Sequence, residues 1–364
     1  MQLNEFRRAK TVLIFLTALV IVSIGCSLSG CGTGRRKSLV ELKVIVAGSL
    51  LAPFQAVEKE FEAQNPDIDV KLEGHGSVQV IRNVTELGNI ADLTVVADAQ
   101  LIPAMMYQTQ IPEQGGPHAD WLIEFSTNRL GLAYHEGSAY RAEINADNWP
   151  QIISRPDVTV GLADPRIDAM GYRTLMVLQL AQDFYQDDTI FEKTVGSAFD
   201  PPMAISRDDG VCTIIVPEVV RSKESRVKLR AYSIQLMALL ESGDLDYSFE
   251  YESVAKQRGL GFLALPPAID LSSPDYEKEY RTVDVRLDFR RFSSVFPDFQ
   301  GTRIVYGLSI PRNAPHPEEA VELVQFLLGS DGQRIFEESW QPLWSAPVCD
   351  NVEQLPEALK SLFP

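Results

Sequence analysis

Residues 42–61 read LKVIVAGSLLAPFQAVEKEF, and the fold of the chain follows from this stretch. The β-branched run at 44–46 is typical of a buried strand, whereas the apolar residues of 54–61 repeat at helical spacing. Gly48 and Ser49 lie between them, where free backbone N–H groups, a hydroxyl and the positive end of a helix dipole come together. The turn is either a cup for an anion or an ordinary strand-to-helix turn capped by serine, and this stretch alone leaves both open.

The same device occurs a second time in the next segment. Residues 68–72 alternate in polarity like a strand, and Ser77 then opens a helix with apolar residues between 80 and 87. Parallel strands place the following helix N-termini at one edge of a sheet, which is where open α/β folds bind ligands. The pair of turns therefore favours an anion site more strongly than either turn does.

Two lobes are predicted from the order of the remaining segments. A third loop, 163–174, runs from a buried strand into a helix; the strand-like stretch 121–134 crosses to a second lobe, and 304–310 returns. Region 266–299 is expected to be charged and irregular. We predict an α/β protein in which each lobe is a mixed sheet flanked by helices, with a ligand in the cleft between the lobes. The predicted limits are 42–124 with 311–364 for lobe 1, and 125–310 for lobe 2.

Composition limits the class of ligand. The chain has 364 residues, enough for two domains, and 50 acidic against 33 basic residues give a net charge of −17. A general nucleic-acid binder needs a basic surface, so that class is excluded. An anion site in such a protein must rely on locally aimed amides and hydroxyls.

The N-terminus has the layout of a secretory signal. Basic residues precede the apolar run 11–24, and small residues follow it. Residues 28–31, LSGC, resemble the lipobox of bacterial lipoproteins, in which the cysteine is lipidated and becomes the first mature residue. We predict a lipoprotein signal peptide at 1–30, lipidation of Cys31, a linker at 31–41 and an extracytoplasmic body anchored to the cell membrane. The alternatives are Cys26 as the lipidated residue and a plain membrane anchor, for which the run is short.

The other cysteines and the histidines carry little information. Cys212 and Cys349 could form a disulfide in an oxidising compartment, but their separation in sequence decides nothing. The four histidines show no metal-ligand spacing, and no cofactor is expected.

Seven motifs occur together in the order of a known family. They are AGSLLAPF, KEFEAQNPDIDV, GHGSVQVIR, ADAQLIP, DPRIDAMGYRTL, ESGDLDYSFEYESVA and VYGLSIPRNAPHPEEA, spread over residues 44–341. Together they resemble the tungstate/molybdate substrate-binding proteins of ABC transporters. The resemblance implies a two-lobed periplasmic-binding-protein fold, a monomer, and delivery of the oxyanion to a membrane permease driven by a cytoplasmic ATPase.

The resemblance also implies a set of site residues. Positions that match the family's oxyanion site are Gly48, Ser49, Ser77, Asp168, Ala169, Met170 and Tyr251. Asp168 matches an aspartate that in this family can approach the metal atom of the oxyanion itself, and Tyr251 matches a ligand tyrosine. The alternative for Asp168 is a helix N-cap satisfied by its own turn.

Two departures from the family pattern change what is expected. Some relatives bring a second carboxylate from the position eighteen residues before the ligand tyrosine, but this chain has Ser233 there. We therefore expect four- or five-fold coordination of the metal, with Ser233 donating to an outer oxygen. Relatives also carry Pro-Cys where this chain has Ala169 and Met170, so Ala169 offers an N–H that proline lacks.

The expected function is capture of tungstate or molybdate for an ABC permease. The alternative is a sensor or adhesion lipoprotein on the same scaffold that binds another anion, such as sulfate. An enzyme is not expected, because the chain shows no G-x-S-x-G elbow, no H-E-x-x-H and no P-loop. Tungstate and molybdate have nearly the same size and charge, so the sequence does not rank them.

Overall fold

The computed structural model describes residues 39–112, 114–288 and 298–363. The predicted signal peptide, Cys26, Cys31 and most of the predicted linker lie outside the described residues. From Val40 to the C-terminus the chain forms one compact unit. Within the described ranges, every helix is too short or too polar to cross a membrane.

Strands are numbered in chain order over the described residues. They are β1 (Val40–Ala47), β2 (Ile68–His75), β3 (Leu93–Val96), β4 (Ile123–Thr127), β5 (Leu130–Tyr134), β6 (Val160–Ala163), β7 (Phe199–Asp200), β8 (Ala204–Asp208), β9 (Val211–Val216), β10 (Arg221–Ser222), β11 (Val227–Arg230), β12 (Tyr247–Tyr251), β13 (Gly261–Ala264), β14 (Val283–Leu287), β15 (Asp298–Gln300), β16 (Val305–Ser309) and β17 (Leu343–Cys349).

Helices are numbered in the same way. They are α1 (Leu51–Gln64), α2 (Ser77–Thr85), α3 (Trp149–Ile153), α4 (Ala169–Tyr185), α5 (Ile190–Thr194), α6 (Ile234–Ser242), α7 (Glu252–Gln257), α8 (Glu277–Tyr280), α9 (Pro317–Leu328), α10 (Ser330–Glu338) and α11 (Glu357–Lys360). Single 3₁₀ turns cover Gly48–Leu50, Gly196–Ala198, Pro274–Tyr276 and Val352–Gln354, and Ile102–Met106 forms a π-helical turn.

A six-stranded sheet is built on the opening stretch, in the order β17-β4-β16-β3-β1-β2. β1 is parallel to both β2 and β3, and the β1–β2 register runs to Ala47 opposite His75. The two glycine-serine turns therefore start side by side at one sheet edge, as predicted. Phe54 of α1 packs edge to face on Phe336 of α10, with ring centroids 6.0 Å apart. This contact holds the C-terminal helices to the same side of the sheet as α1.

Sheet membership shifts three predicted boundaries. β4 (Ile123–Thr127) lies wholly in the six-stranded sheet, so the limit predicted at 124/125 falls after Thr127. β1 begins at Val40, so Val40 and Glu41 belong to the sheet and not to the linker predicted to end at 41. β16 was expected within lobe 2 (125–310), but it pairs with β3 and β4 of the six-stranded sheet. The chain therefore returns to the first sheet before Val305.

The second sheet has the order β11-β6-β12-β5-β13. β11 and β12 are parallel to β6, whereas β5 and β13 are antiparallel to their neighbours. The carboxyl ends of β6, β11 and β12 thus lie at one edge. The segments after β6 and β11 carry Asp168 and Ser233, and Tyr251 is the last residue of β12.

The prediction that 266–299 is irregular was wrong. β14 pairs in parallel with β9 and antiparallel with β15, giving a four-stranded sheet in the order β15-β14-β9-β8. The ring of Phe299 in β15 stacks on Tyr172 of α4, with centroids 4.2 Å apart and planes 5° from parallel. The strands are short and their partners are distant in sequence, so local periodicity does not show them.

The α/β prediction is confirmed, with mixed sheets flanked by helices. Cys212 is buried in β9 and Cys349 is half-buried at the end of β17, and both are free thiols. The disulfide left open by the sequence is not formed.

Candidate functional site

Ser77 lies at the first position of α2, at the edge where β2 ends, and is buried. The backbone N–H of Ala97, which follows β3, donates to Ser77 Oγ at 3.0 Å. Since this bond occupies the oxygen as an acceptor, the hydroxyl keeps its own proton for another acceptor. The Ser77 hydroxyl is thus oriented to donate a hydrogen bond, as the anion-cup alternative requires.

The Ser49 hydroxyl is oriented in a similar way, by residues that are distant in sequence. Asn128 Nδ2 donates to Tyr306 Oη at 3.2 Å, and Tyr306 Oη lies 3.2 Å from Ser49 Oγ. The amide of Asn128 is oriented by Arg129, whose N–H donates to Asn128 Oδ1 at 3.0 Å. With this orientation the tyrosine can donate to Ser49, so the Ser49 hydroxyl is left to donate outward.

Asp168 is the N-cap of α4, and its carboxylate also reaches α6. The Met170 N–H donates to Oδ1 at 3.0 Å and the Ser233 N–H donates to Oδ2 at 2.8 Å. Burial raises the pKa of the Asp168 carboxyl to about 6, although these two N–H groups and Arg173 oppose the rise. Both roles considered for Asp168 remain compatible with this geometry, because each oxygen retains a second lone pair.

The two residues after Asp168 differ in what they can offer. The Met170 N–H is already bonded to Asp168. Ala169 is the first residue of α4, so helix geometry gives its N–H no partner within the helix. Of these two residues, Ala169 is therefore the one whose N–H is available.

Arg173 links the two sides of the site. Its Nη1 donates to the Ala97 carbonyl at 2.7 Å and to Tyr251 Oη at 2.8 Å, and its Nη2 lies 3.5 Å from Asp98 Oδ1. Tyr172 donates to the other oxygen of Asp98. Burial raises the pKa of the Tyr251 hydroxyl well above its usual value. Tyr251 therefore accepts from Arg173 and keeps a proton to donate, as Ser77 does.

Loops from the two sheets touch directly. A Cβ built on Gly76 would lie 2.4 Å from the Ile167 carbonyl oxygen and 2.9 Å from Asp168 Cα. The Gln79 N–H also reaches the Ile167 carbonyl, at 3.4 Å. Gly48 packs less tightly, with its built Cβ 3.4 Å from Ile234 Cγ2. These contacts, together with the Arg173 bonds to Ala97 and Tyr251, connect the segments that carry the predicted site residues across one junction between the two sheets.

Glu250 is a buried carboxyl that the sequence reasoning missed. It lies on β12 beside Tyr251, whose N–H donates to Oε1 at 2.8 Å, while Oε2 has no partner among the described residues. Burial, with a smaller contribution from the charge of Asp168, raises the pKa of Glu250 to about 8. An acidic residue inside an otherwise buried strand was the available signal.

Chemically, the junction offers hydroxyl and amide donors next to one buried guanidinium. Apart from its ion pair with Asp98, Arg173 Nη2 has no hydrogen-bond partner among the described residues and is a further donor. In the same part of the chain, no group of three or more His, Cys, Asp or Glu side chains is arranged to hold a metal ion. The arrangement suits recognition of an anion through its oxygens.

The chain belongs to the bacterial extracellular solute-binding protein family, whose model matches residues 42–339. Among its relatives is the molybdate/tungstate-binding protein WtpA of Thermococcus kodakarensis, which is 34% identical, with 98% of this chain and 97% of the relative covered. WtpA of Pyrococcus abyssi is 35% identical, with 95% and 96% covered. A solute-binding protein of Methanoculleus marisnigri is 38% identical over 325 residues. The resemblance seen in the motifs is confirmed.

Solved structures confirm the periplasmic-binding-protein fold. The periplasmic molybdate-binding protein of Azotobacter vinelandii superposes with a TM-score of 0.50 at 14% identity, covering 82% of this chain and 98% of that chain. The sulfate-binding protein SubI of Mycobacterium tuberculosis gives a TM-score of 0.52 at 15% identity, covering 89% and 92%. At such identities the likeness concerns the fold alone.

The backbone contact at Gly76 gives a first prediction. In Gly76→Ala the added methyl meets backbone atoms that cannot rotate away, so the two loops must separate. We expect ligand affinity to fall at least about tenfold, which corresponds to a loss of roughly 1.4 kcal/mol of binding free energy. Thermal stability should change little. Calorimetric titration and thermal unfolding measure the two effects. Gly74→Ala, where the new methyl meets only the Leu51 side chain at 3.4 Å, is the matched control; equal affinity of the two variants would contradict the prediction.

Glu250 gives a prediction on pH. The folded pKa of about 8 lies above the ordinary glutamate value of 4.5, so the folded protein holds a proton that the unfolded chain releases. Wild-type stability contributed by this group is therefore full below pH 4.5 and lost as pH rises toward 8. We expect Glu250→Gln to gain, relative to wild type, up to a few kcal/mol of unfolding free energy between pH 5 and 8, measured by urea denaturation. Parallel pH profiles for variant and wild type would contradict this, and the exposed Glu353→Gln is the control.

Proposed function

We propose that this chain is an extracytoplasmic, lipid-anchored solute-binding protein that captures tungstate or molybdate and delivers it to an ABC permease with its ATPase. The observation that carries the proposal is the donor set at the junction. Ser77 Oγ and Tyr251 Oη each accept a bond from an N–H group, at 3.0 and 2.8 Å, and so keep their protons for a ligand that only accepts. Names of the relatives that cover nearly the whole chain support the choice of oxyanion.

The roles proposed for the remaining residues follow from their positions. Ser49 donates through the relay from Tyr306, and Ala169 supplies the free amide of α4. Asp168 has two alternatives: its carboxylate contacts the metal of the oxyanion, or it only orients the starts of α4 and α6. Ser233 already uses its N–H on Asp168, and its side chain interacts with the Glu250 carboxyl, so donation of its hydroxyl to an outer oxygen competes with that contact.

Direct titration tests the proposal. The purified full chain is titrated calorimetrically with tungstate, molybdate, sulfate and phosphate in turn. We expect tight one-to-one binding of the first two and weak or absent binding of the others, because the larger anions can accept an extra oxygen ligand. Binding of sulfate alone would favour the sensor or adhesion alternative, and absence of binding for all four anions would overturn the proposal.

Substitutions separate the two roles of Asp168. Ser77→Ala removes one donor to a charged ligand, so its affinity for every bound anion should fall by about 1.5–3 kcal/mol, roughly 10- to 150-fold. Asp168→Ala should weaken tungstate more than sulfate if the carboxylate contacts the metal. Equal losses for both anions would leave Asp168 as an orienting cap. Ser361→Ala, on an exposed C-terminal serine, is the control and should bind like wild type.

A further inference from the structure

Residues 220–230, VRSKESRVKLR, form a basic groove on a strongly acidic protein. This segment holds five basic residues and one acidic residue, whereas the whole chain has a net charge of −17. It surrounds an open groove of about 520 Å³ whose charged lining residues are Lys223, Glu224, Lys228 and Arg230. The local sign of charge is thus the reverse of that of the whole chain.

Three of the cations in this groove carry no ion pair in the described part of the chain. Its one acidic residue, Glu224, is already paired with Arg226, with Nε 2.8 Å from Oε2. Within the described part of the chain, Lys223, Lys228 and Arg230 have no carboxylate within 4.0 Å. Lys223 and Arg230 are exposed, and Lys228 is half-buried.

The groove lies along an open sheet edge. β11 is the last strand of its sheet, and its inner backbone is used by β6: the Val160 N–H donates to Arg226 O and the Asp164 N–H to Arg230 O, both at 2.8 Å. Alternation in a strand therefore turns the Leu229 N–H toward the free edge. The edge adds an amide donor to the cations.

This edge leads directly to the candidate site. Arg230 ends β11, and Ser233 follows three residues later with its N–H on Asp168. The backbone bond from Asp164 to Arg230 ties the end of β11 to the loop that carries Asp168. A dianion approaching this protein meets overall repulsion, and a local positive strip beside a cleft raises its concentration there.

We propose that the groove of residues 220–230 collects small oxyanions from solution and speeds their entry into the cleft. The inference rests on the proposed function, because it takes the cleft ligand to be an oxyanion. It predicts an effect on the association rate and not on the closed complex, since the groove cations are not among the donors at the junction.

The test compares two variants that lose the same charge. Lys228→Gln with Arg230→Gln removes two groove cations, and Lys59→Gln with Lys278→Gln removes two exposed lysines elsewhere. Association of molybdate or tungstate with the full chain is followed by stopped-flow tryptophan fluorescence, and dissociation is measured separately. At an ionic strength of about 10 mM, where screening is weak, the association rate constant of the groove variant should be at least about fivefold lower than that of wild type. Near an ionic strength of about 0.5 M the two rate constants should be equal.

Each outcome decides the matter. A slower, salt-dependent association of the groove variant alone, with an unchanged dissociation rate, supports the proposal. Equal slowing of both variants would assign the effect to net charge and overturn it. Unchanged association would also overturn it and leave the cations as charges that prevent edge-to-edge strand pairing. If wild type binds no oxyanion at all, the proposed function itself fails, which the calorimetric titration shows separately.

Discussion

One buried guanidinium joins the two halves of the candidate site. Arg173 belongs to α4, yet its Nη1 bonds both the Ala97 carbonyl beside the first sheet and the Tyr251 hydroxyl at the end of β12. An arginine that is 2% exposed is costly unless it is paired, and Asp98 and these acceptors offset that cost. Through Ala97 the same cation fixes the segment whose N–H orients Ser77. The orientations of the Ser77 and Tyr251 hydroxyls therefore both depend on this one side chain.

The charge of the whole protein and the charge of the site have to be considered separately. A net charge of −17 opposes an anionic ligand, but the junction contains Arg173 and carboxyls whose pKa values burial raises. The raised pKa of about 8 keeps Glu250 largely uncharged near neutral pH, whereas Asp168, with a pKa of about 6, stays largely ionised there. The site thus presents oriented N–H and O–H dipoles and the Arg173 cation beside one carboxylate, in a region from which water is largely excluded.

The sequence predicted those parts of the fold that depend on neighbouring residues. The strand-turn-helix units around Ser49 and Ser77 depend on a few consecutive residues, so their turns and their shared sheet edge follow from spacing. Tyr306 and Asn128, which orient Ser49, come from strands far along the chain, and no spacing rule connects them. The four-stranded sheet was not predicted for the same reason, because β14 pairs in parallel with β9, which lies far from it in sequence. The positions of Asp168 and Tyr251 came from the motif resemblance, and their contacts only from the folded chain.

The contact at Gly76 joins main chain to main chain, with no side chain on the glycine side. A contact of this kind keeps its shape when neighbouring side chains are exchanged. The hydroxyls and carboxyls around the junction can therefore vary during evolution without rebuilding this contact. A lineage of such proteins is free to change the chemistry of the junction while the way its two loops meet stays the same.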